Sequence, residues 1–239
     1  MLKSLLKKLP GIDWLRGGWP DQARYIVQST ALRQVLNGRT LEGDCLNAGC
    51  GEGLYAGFLD NFPKLRRIVH MDLKKPNLAR RFPNRRHEDF AGSVTELPFV
   101  SGEFGACLCT EVMEHIPEHE KGFAELARVL KPNALLLIST PTPPAPFDPD
   151  HVREGYTYNE IRDQLERHGF EVLSHAFCFH WVMRTLLVVW RWQFERLGHG
   201  RRSMMPRFLV HFAGVLDRLV PIGKPWDIVV LAQKRPGAA

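Results

Sequence analysis

The 239-residue sequence is poor in cysteine: Cys45, Cys50, Cys107, Cys109 and Cys178 make an odd set with no CxxC pair. A disulfide framework or a zinc ribbon is therefore excluded, and a reducing cytoplasm is the expected compartment. Long charge-free apolar runs are missing too. The longest stretch without Asp, Glu, Lys or Arg is Pro132 to Phe147, and it carries five prolines, which a lipid-exposed spanning helix does not tolerate. The first ten residues, Met1 to Pro10, lack the apolar core of a secretion signal, which agrees with a cytoplasmic protein, soluble or peripheral at the inner face of the membrane. There is no internal repeat, and the only biased tract is the proline-rich segment 141–149. With 44% hydrophobic and 24% charged residues, disordered and fibrous classes are excluded.

Charge is unevenly spread behind a net +6. Residues 1–9 hold three lysines and no acid, residues 64–86 hold nine Lys or Arg against Asp72, and residues 181–220 hold seven arginines against Glu195 and Asp217. Such clusters suit an anionic partner, whether nucleic acid, lipid headgroup or phosphorylated substrate.

Six short apolar runs read as strands: Asp44–Ala48, Ile68–Asp72, Phe104–Thr110, Ala134–Thr140, Phe170–Phe179 and Trp226–Ala232. Amphipathic stretches read as helices: Pro20–Leu36, Leu54–Asn61, Lys121–Leu130 and Tyr158–His168. Their alternation predicts an α/β fold with a doubly wound, mostly parallel sheet. Thr157 with Glu160 predicts a capping box, and Gly169 closes the helix it opens. Cys107 and Cys109 alternate on one strand face and read as small core residues.

Cys45-Leu46-Asn47-Ala48-Gly49-Cys50-Gly51-Glu52-Gly53 predicts a strand running into a glycine turn and a helix. Alternate glycines let backbone approach a ligand, past the carboxyl end of a strand where open parallel sheets bind cofactors. Leu54 stands where a dinucleotide fingerprint needs glycine, and Glu52 with Leu54 excludes a P-loop. Asp72, 23 residues after Gly49 and ending the next strand, suits two ribose hydroxyls. Adenosine without phosphates fits.

With the glycine loop and Asp72, the turn Leu97-Pro98-Phe99 before Phe104–His115 and the run Leu126-Ala127-Arg128-Val129-Leu130-Lys131-Pro132 make up an ordered motif set. This set resembles the class I S-adenosylmethionine-dependent methyltransferases of the bacterial type 11 group, over residues 42–180. The resemblance implies a Rossmann-like, seven-stranded sheet and S-adenosyl-L-methionine held by Asn47, Gly49, Cys50, Gly51, Gly53, Asp72, Ser93, Val94 and Thr110. Asn47 and Ser93 stand where the family usually has acids, with Asp89 as an alternative to Ser93 for the adenine.

Methyl transfer needs alignment, exclusion of water and, for a hydroxyl, removal of a proton. His151, His115 and Glu111 are the candidate catalytic residues. No metal is required, although Glu111-x-x-Glu114-His115 is similar to the acidic-histidine motif of ubiquinone-type and small-RNA-type O-methyltransferases that bind a divalent cation. In that alternative His151 would complete a four-ligand set.

The expected organisation is an N-terminal helical segment (1–40), a cofactor-binding core (41–180), a helical insertion or lid (181–220), and the last strand with a tail (221–239). The insertion before the last strand carries Trp181, Trp190, Trp192 and seven arginines, the composition of an amphipathic hairpin at an anionic membrane surface. Leu2, Leu5, Leu6 and Leu9 over lysines add to that expectation. The implied function is methyl transfer to a small or lipid-linked acceptor, at a hydroxyl. A nucleic-acid methyltransferase, disfavoured because no Asn-Pro-Pro-Tyr-type motif is present, and a non-catalytic cofactor-binding subunit are the alternatives.

Overall fold

The computed structural model describes residues 20–82, 86–145, 150–197 and 207–237. The leucine–lysine pattern at residues 2–9, and Asp148 beside the candidate histidine, lie outside them. The chain divides into two compact units, Ser29–Phe177 with Trp226–Ala239, and Met1–Gln28 with Cys178–Pro225.

The first unit carries a seven-stranded sheet. Its strands are β1 (Gly43–Ala48), β2 (Leu65–Asp72), β3 (His87–Ala91), β4 (Phe104–Thr110), β5 (Leu130–Pro141), β6 (Phe170–Cys178) and β7 (Asp227–Lys234), in the spatial order 3-2-1-4-5-7-6. β1 pairs in parallel with β2 and β4, β2 with β3, and β4 with β5, whereas β7 runs antiparallel to β5. The order reverses between β1 and β4, the switch point where such sheets bind ligands. The central strands are apolar on both faces: Leu46, Val69, Cys107 and Leu136 on one side and Cys45, Ile68, Leu108 and Leu137 on the other are all fully buried, as expected when helices cover both sides. Cys107 and Cys109 are both core residues, as their alternation indicated.

One strand, β3, escaped the sequence pattern. His-Glu-Asp-Phe-Ala has no apolar alternation, because its polar side chains serve a buried network and a turn. The helices of this unit include α2 (Ala56–Asp60), α3 (His119–Val129) and α4 (Tyr158–Arg167), while α1 (Pro20–Leu36) spans the unit boundary. Thr157 caps α4 with the full capping box, its side chain accepting from the Glu160 amide. Leu97-Pro98-Phe99 is tied to α3 by Glu125, which accepts the Leu97 amide at 2.7 Å, and by Arg128, which donates to the Phe99 and Leu97 carbonyls at 2.7 and 3.0 Å. That clamp explains the spacing of two of the sequence motifs.

In the second unit α5 (Trp181–Leu197) and α6 (Arg207–Leu219) pack on each other. Asp217 of α6 is buried, and its carboxylate accepts the His180 and Met183 amides at 2.7 and 2.9 Å. A carboxylate against the first amides of α5 satisfies donors that the helix leaves open and complements its dipole.

Candidate active site

At the end of β1 the chain turns through Gly49, Gly51 and Gly53, with φ of 64°, 50° and 80°. These left-handed values require glycine for two different reasons. A side chain on Gly49 would collide with Val112, and one on Gly53 with Leu78, whereas a Cβ on Gly51 would meet no atom within 4 Å. Gly49 and Gly53 are thus needed for packing, while Gly51 borders open space.

Asp72 ends β2 beside this turn. Its Oδ2 accepts the Gly51 amide at 2.8 Å, and Cys50 donates its amide to the Met71 carbonyl at 3.0 Å. Burial, with Asp72 and Asp89 nearby, pushes the Cys50 thiol up to about 12, so Cys50 stays a neutral thiol and is not a nucleophile. The fit to an adenosine cofactor rests on the open cradle over Gly51 and on the carboxylate facing it.

Ser93 and Val94 follow β3. The Ser93 hydroxyl is engaged within its own turn, 2.7 Å from the Thr95 hydroxyl and accepting the Thr95 amide at 3.2 Å, while Val94 is buried. Asp89 accepts from the Leu78 and Ala79 amides at 3.1 and 3.0 Å. Its carboxylate therefore caps a turn.

Asn47, expected at the cofactor, is buried in β1. Its Nδ2 donates to His70 Nδ1 at 3.0 Å. An amide nitrogen only donates, so the His70 proton sits on Nε2 and is given to His87 Nδ1 at 2.8 Å. His87 Nε2 then donates to Asp60 Oδ1 at 3.1 Å, an oxygen also reached by Arg86 at 2.7 Å. Burial is the main cause that lowers His87 below the ordinary imidazole value and His70 to about 4. Sequence reasoning missed this relay. Its one trace is a histidine inside an otherwise apolar strand.

At the end of β4, Thr110 is buried in register with Ser139. Glu111 takes φ 56°, uncommon for a residue with a side chain. It is held there by two bonds to β5, its amide to the Ser139 carbonyl at 3.0 Å and the Ser139 hydroxyl to its Oε1 at 2.7 Å. A short turn, Met113–His115, then brings Glu114 into full burial, where its carboxylate accepts from the Thr140 hydroxyl at 3.5 Å.

His115 donates from Nδ1 to the Asp150 carbonyl at 3.0 Å, which leaves Nε2 as the acceptor nitrogen, 4.0 Å from Glu114 Oε1. The His151 ring stands edge-on to it with centroids 4.5 Å apart. One ligand atom each of Glu114, His115 and His151 lies within 4.8 Å of the others. Glu111 is not in this cluster, so the set of four expected from the motif becomes three.

Arg153 went unrecognised in the sequence. Its guanidinium donates to the Met113 and Ile116 carbonyls and, at 3.3 Å, to that of Pro117, and the Val152 amide donates to the Glu114 carbonyl at 3.0 Å. These bonds lace the loop bearing His151 onto the turn bearing His115. Pro117 ends the turn without an amide, a signal that the preceding carbonyls need an outside donor.

Residues 46–138 match the family model described as a methyltransferase domain. This match supports the resemblance to the type 11 group of class I methyltransferases. It is 31% identical over 175 residues to a protein of Mycolicibacterium smegmatis named as an S-adenosylmethionine-dependent methyltransferase, covering 68% of this chain and 65% of that one. A fatty-acid O-methyltransferase of the same organism is 30% identical over 128 residues, covering 50% of this chain and 44% of that one. The chain thus spans less than two thirds of the length of these relatives. The fold superposes with a TM-score of 0.57 on the Burkholderia thailandensis 1,6-didemethyltoxoflavin N1-methyltransferase, solved with S-adenosylhomocysteine, at 19% identity over 89% of this chain and 79% of that one.

Proposed function

We propose that this chain transfers the methyl group of S-adenosylmethionine to an oxygen of a small or lipid-linked acceptor. The observation that carries the reading is the packing of Gly49 against Val112, which sets the cofactor turn beside the segment carrying Glu114 and His115. Asp72 and the backbone of the Gly49–Gly53 turn would hold the adenosine moiety, with Asn47, Thr110 and the Ser93–Val94 backbone around it. When bound, the cofactor supplies an electrophilic methyl group. His115 Nε2 would take the acceptor proton, and the buried Glu114 carboxylate 4.0 Å away would stabilise the imidazolium so formed. His151 would orient the acceptor, and Glu111 would fix the strained backbone that leads into this turn.

The fatty-acid acceptor in the name of one relative supports a lipid-linked substrate. Against nucleic acid, several of the nine basic residues in the stretch 64–86 are already paired with acids of this chain: Arg67 with Glu88 and Glu103, Lys64 with Glu42, and Arg86 with Asp60. Incubation with methyl-labelled S-adenosylmethionine and fatty-acid, phenol and lipid-alcohol acceptors tests the proposal by mass spectrometry. A methyl ester or ether is expected, and bound cofactor without transfer to any oxygen acceptor would overturn it.

The clustering of Glu114, His115 and His151 favours a second reading, in which a divalent cation sits among them and acidifies the acceptor hydroxyl. Activity lost on exhaustive chelation and restored by Mg²⁺ or Mn²⁺ selects this form. Activity indifferent to chelation selects the imidazole base.

A further inference from the structure

We propose that the α5–α6 hairpin docks this chain onto the surface of an anionic phospholipid bilayer. The inference stands on the second unit alone and goes beyond the methyl-transfer reading. On α6 the residues Val210, Ala213 and Asp217 are buried, whereas Phe208, Phe212, Val215 and Leu219 are exposed. At about 100° per residue the exposed four fall on one narrow stripe, opposite the buried three. Phe212 is 61% exposed and Leu219 67%, an arrangement that inverts the usual apolar-inward pattern.

The companion helix repeats it. Met183 of α5 is buried, while Trp181, Val188 and Trp192 are exposed at helical spacing, Trp181 by 60%. Arg196 lies over the Trp192 ring, 4.1 Å from its centroid. Beyond α6 the exposed stripe continues through Val220 and Ile222. A patch of this extent marks an interaction site.

Charge decides the occupant. Arg196, Arg218 and Lys224 are exposed around the stripes, and Asp217 is turned inward against the amides of α5. The whole 181–220 sequence carries seven arginines against two acids. In a symmetric pairing of two copies this patch would face itself, setting arginine against arginine. Anionic headgroups above a hydrocarbon layer complement both components, since tryptophan and arginine stems suit the lipid interface.

Co-sedimentation of the full chain with vesicles of phosphatidylcholine plus phosphatidylglycerol, against pure phosphatidylcholine, tests the proposal. Binding to the mixed vesicles, weakened by salt, is expected. Arg218→Gln should weaken it about fivefold, the effect of one basic residue near such a surface, and Phe212→Glu should abolish it. Both positions are exposed, and an unchanged circular dichroism spectrum and cofactor affinity show that the fold survives. Equal binding to both vesicle types, or to neither, overturns the proposal. A dimer in sedimentation velocity that Phe212→Glu dissociates does so too, by giving the face to a second copy. Because the readout is lipid binding, failure here leaves the methyltransferase reading standing.

Discussion

Asp72 Oδ2 receives the Gly51 amide at 2.8 Å, so the carboxylate that faces the cofactor cradle also braces the turn that shapes it. A bond to a charged group contributes about 1.5–3 kcal/mol, so Asp72→Ala should weaken S-adenosylmethionine binding by roughly 10- to 100-fold. Calorimetric titration checks this; unchanged affinity would remove Asp72 from the site.

Gly51→Val separates ligand space from packing. The added side chain meets no protein atom within 4 Å, and its left-handed backbone costs about 1–2 kcal/mol, so the fold should persist while cofactor binding is lost. Gly49→Ala should do the reverse, lowering the melting temperature because its methyl group collides with Val112. Thermal unfolding paired with calorimetry distinguishes the two.

Substituting Ala for His115 should lower turnover by about 10²–10⁴-fold, the usual contribution of a positioned base, with cofactor affinity nearly intact. Arg153→Met frees the His151 loop from the carbonyls of Met113, Ile116 and Pro117. It should raise the KM for the acceptor and reduce kcat while leaving cofactor binding unaltered. Steady-state kinetics beside cofactor titration reads both effects.

The buried histidine pair makes the fold sensitive to acid. The unfolded chain protonates His70 near the ordinary value of about 6.5, and the folded chain only near 4. The unfolded state therefore binds more protons between these values, and stability falls as pH drops from about 6.5 to 4, by on the order of 2–3 kcal/mol. Asn47→Asp would place a carboxylate beside His70 Nδ1, favour the imidazolium and flatten that loss. Denaturant titrations across this range measure it, and a wild-type curve flat from pH 7 to 4 would contradict it.

The parallel core was legible in the sequence because strands buried on both faces read as apolar runs between charged turns, as in Phe104–Thr110. The glycine turn after β1 was legible because left-handed backbone leaves a glycine trace. β3 was not, since His87, Glu88 and Asp89 make their bonds across space. Arg153 looked like an ordinary loop arginine, because the carbonyls it binds lie 36 to 40 residues earlier.

The sequence by itself determined what depends on spacing along one segment: the alternation of strands and helices, the glycine turn with Asp72, the capping box at Thr157 and the tryptophan–arginine composition of residues 181–220. Only the tertiary structure decided which polar groups meet. Register across β1, β2 and β3 linked Asn47 to His70 and, through His87, to Asp60, and the clamped turn after β4 gathered Glu114, His115 and His151 while leaving Glu111 bonded to Ser139 of β5. The physical reason is that a hydrogen bond or an ion pair is set by distance in space, and its partners here lie 17 to 40 residues apart in the chain. Local pattern cannot encode that separation.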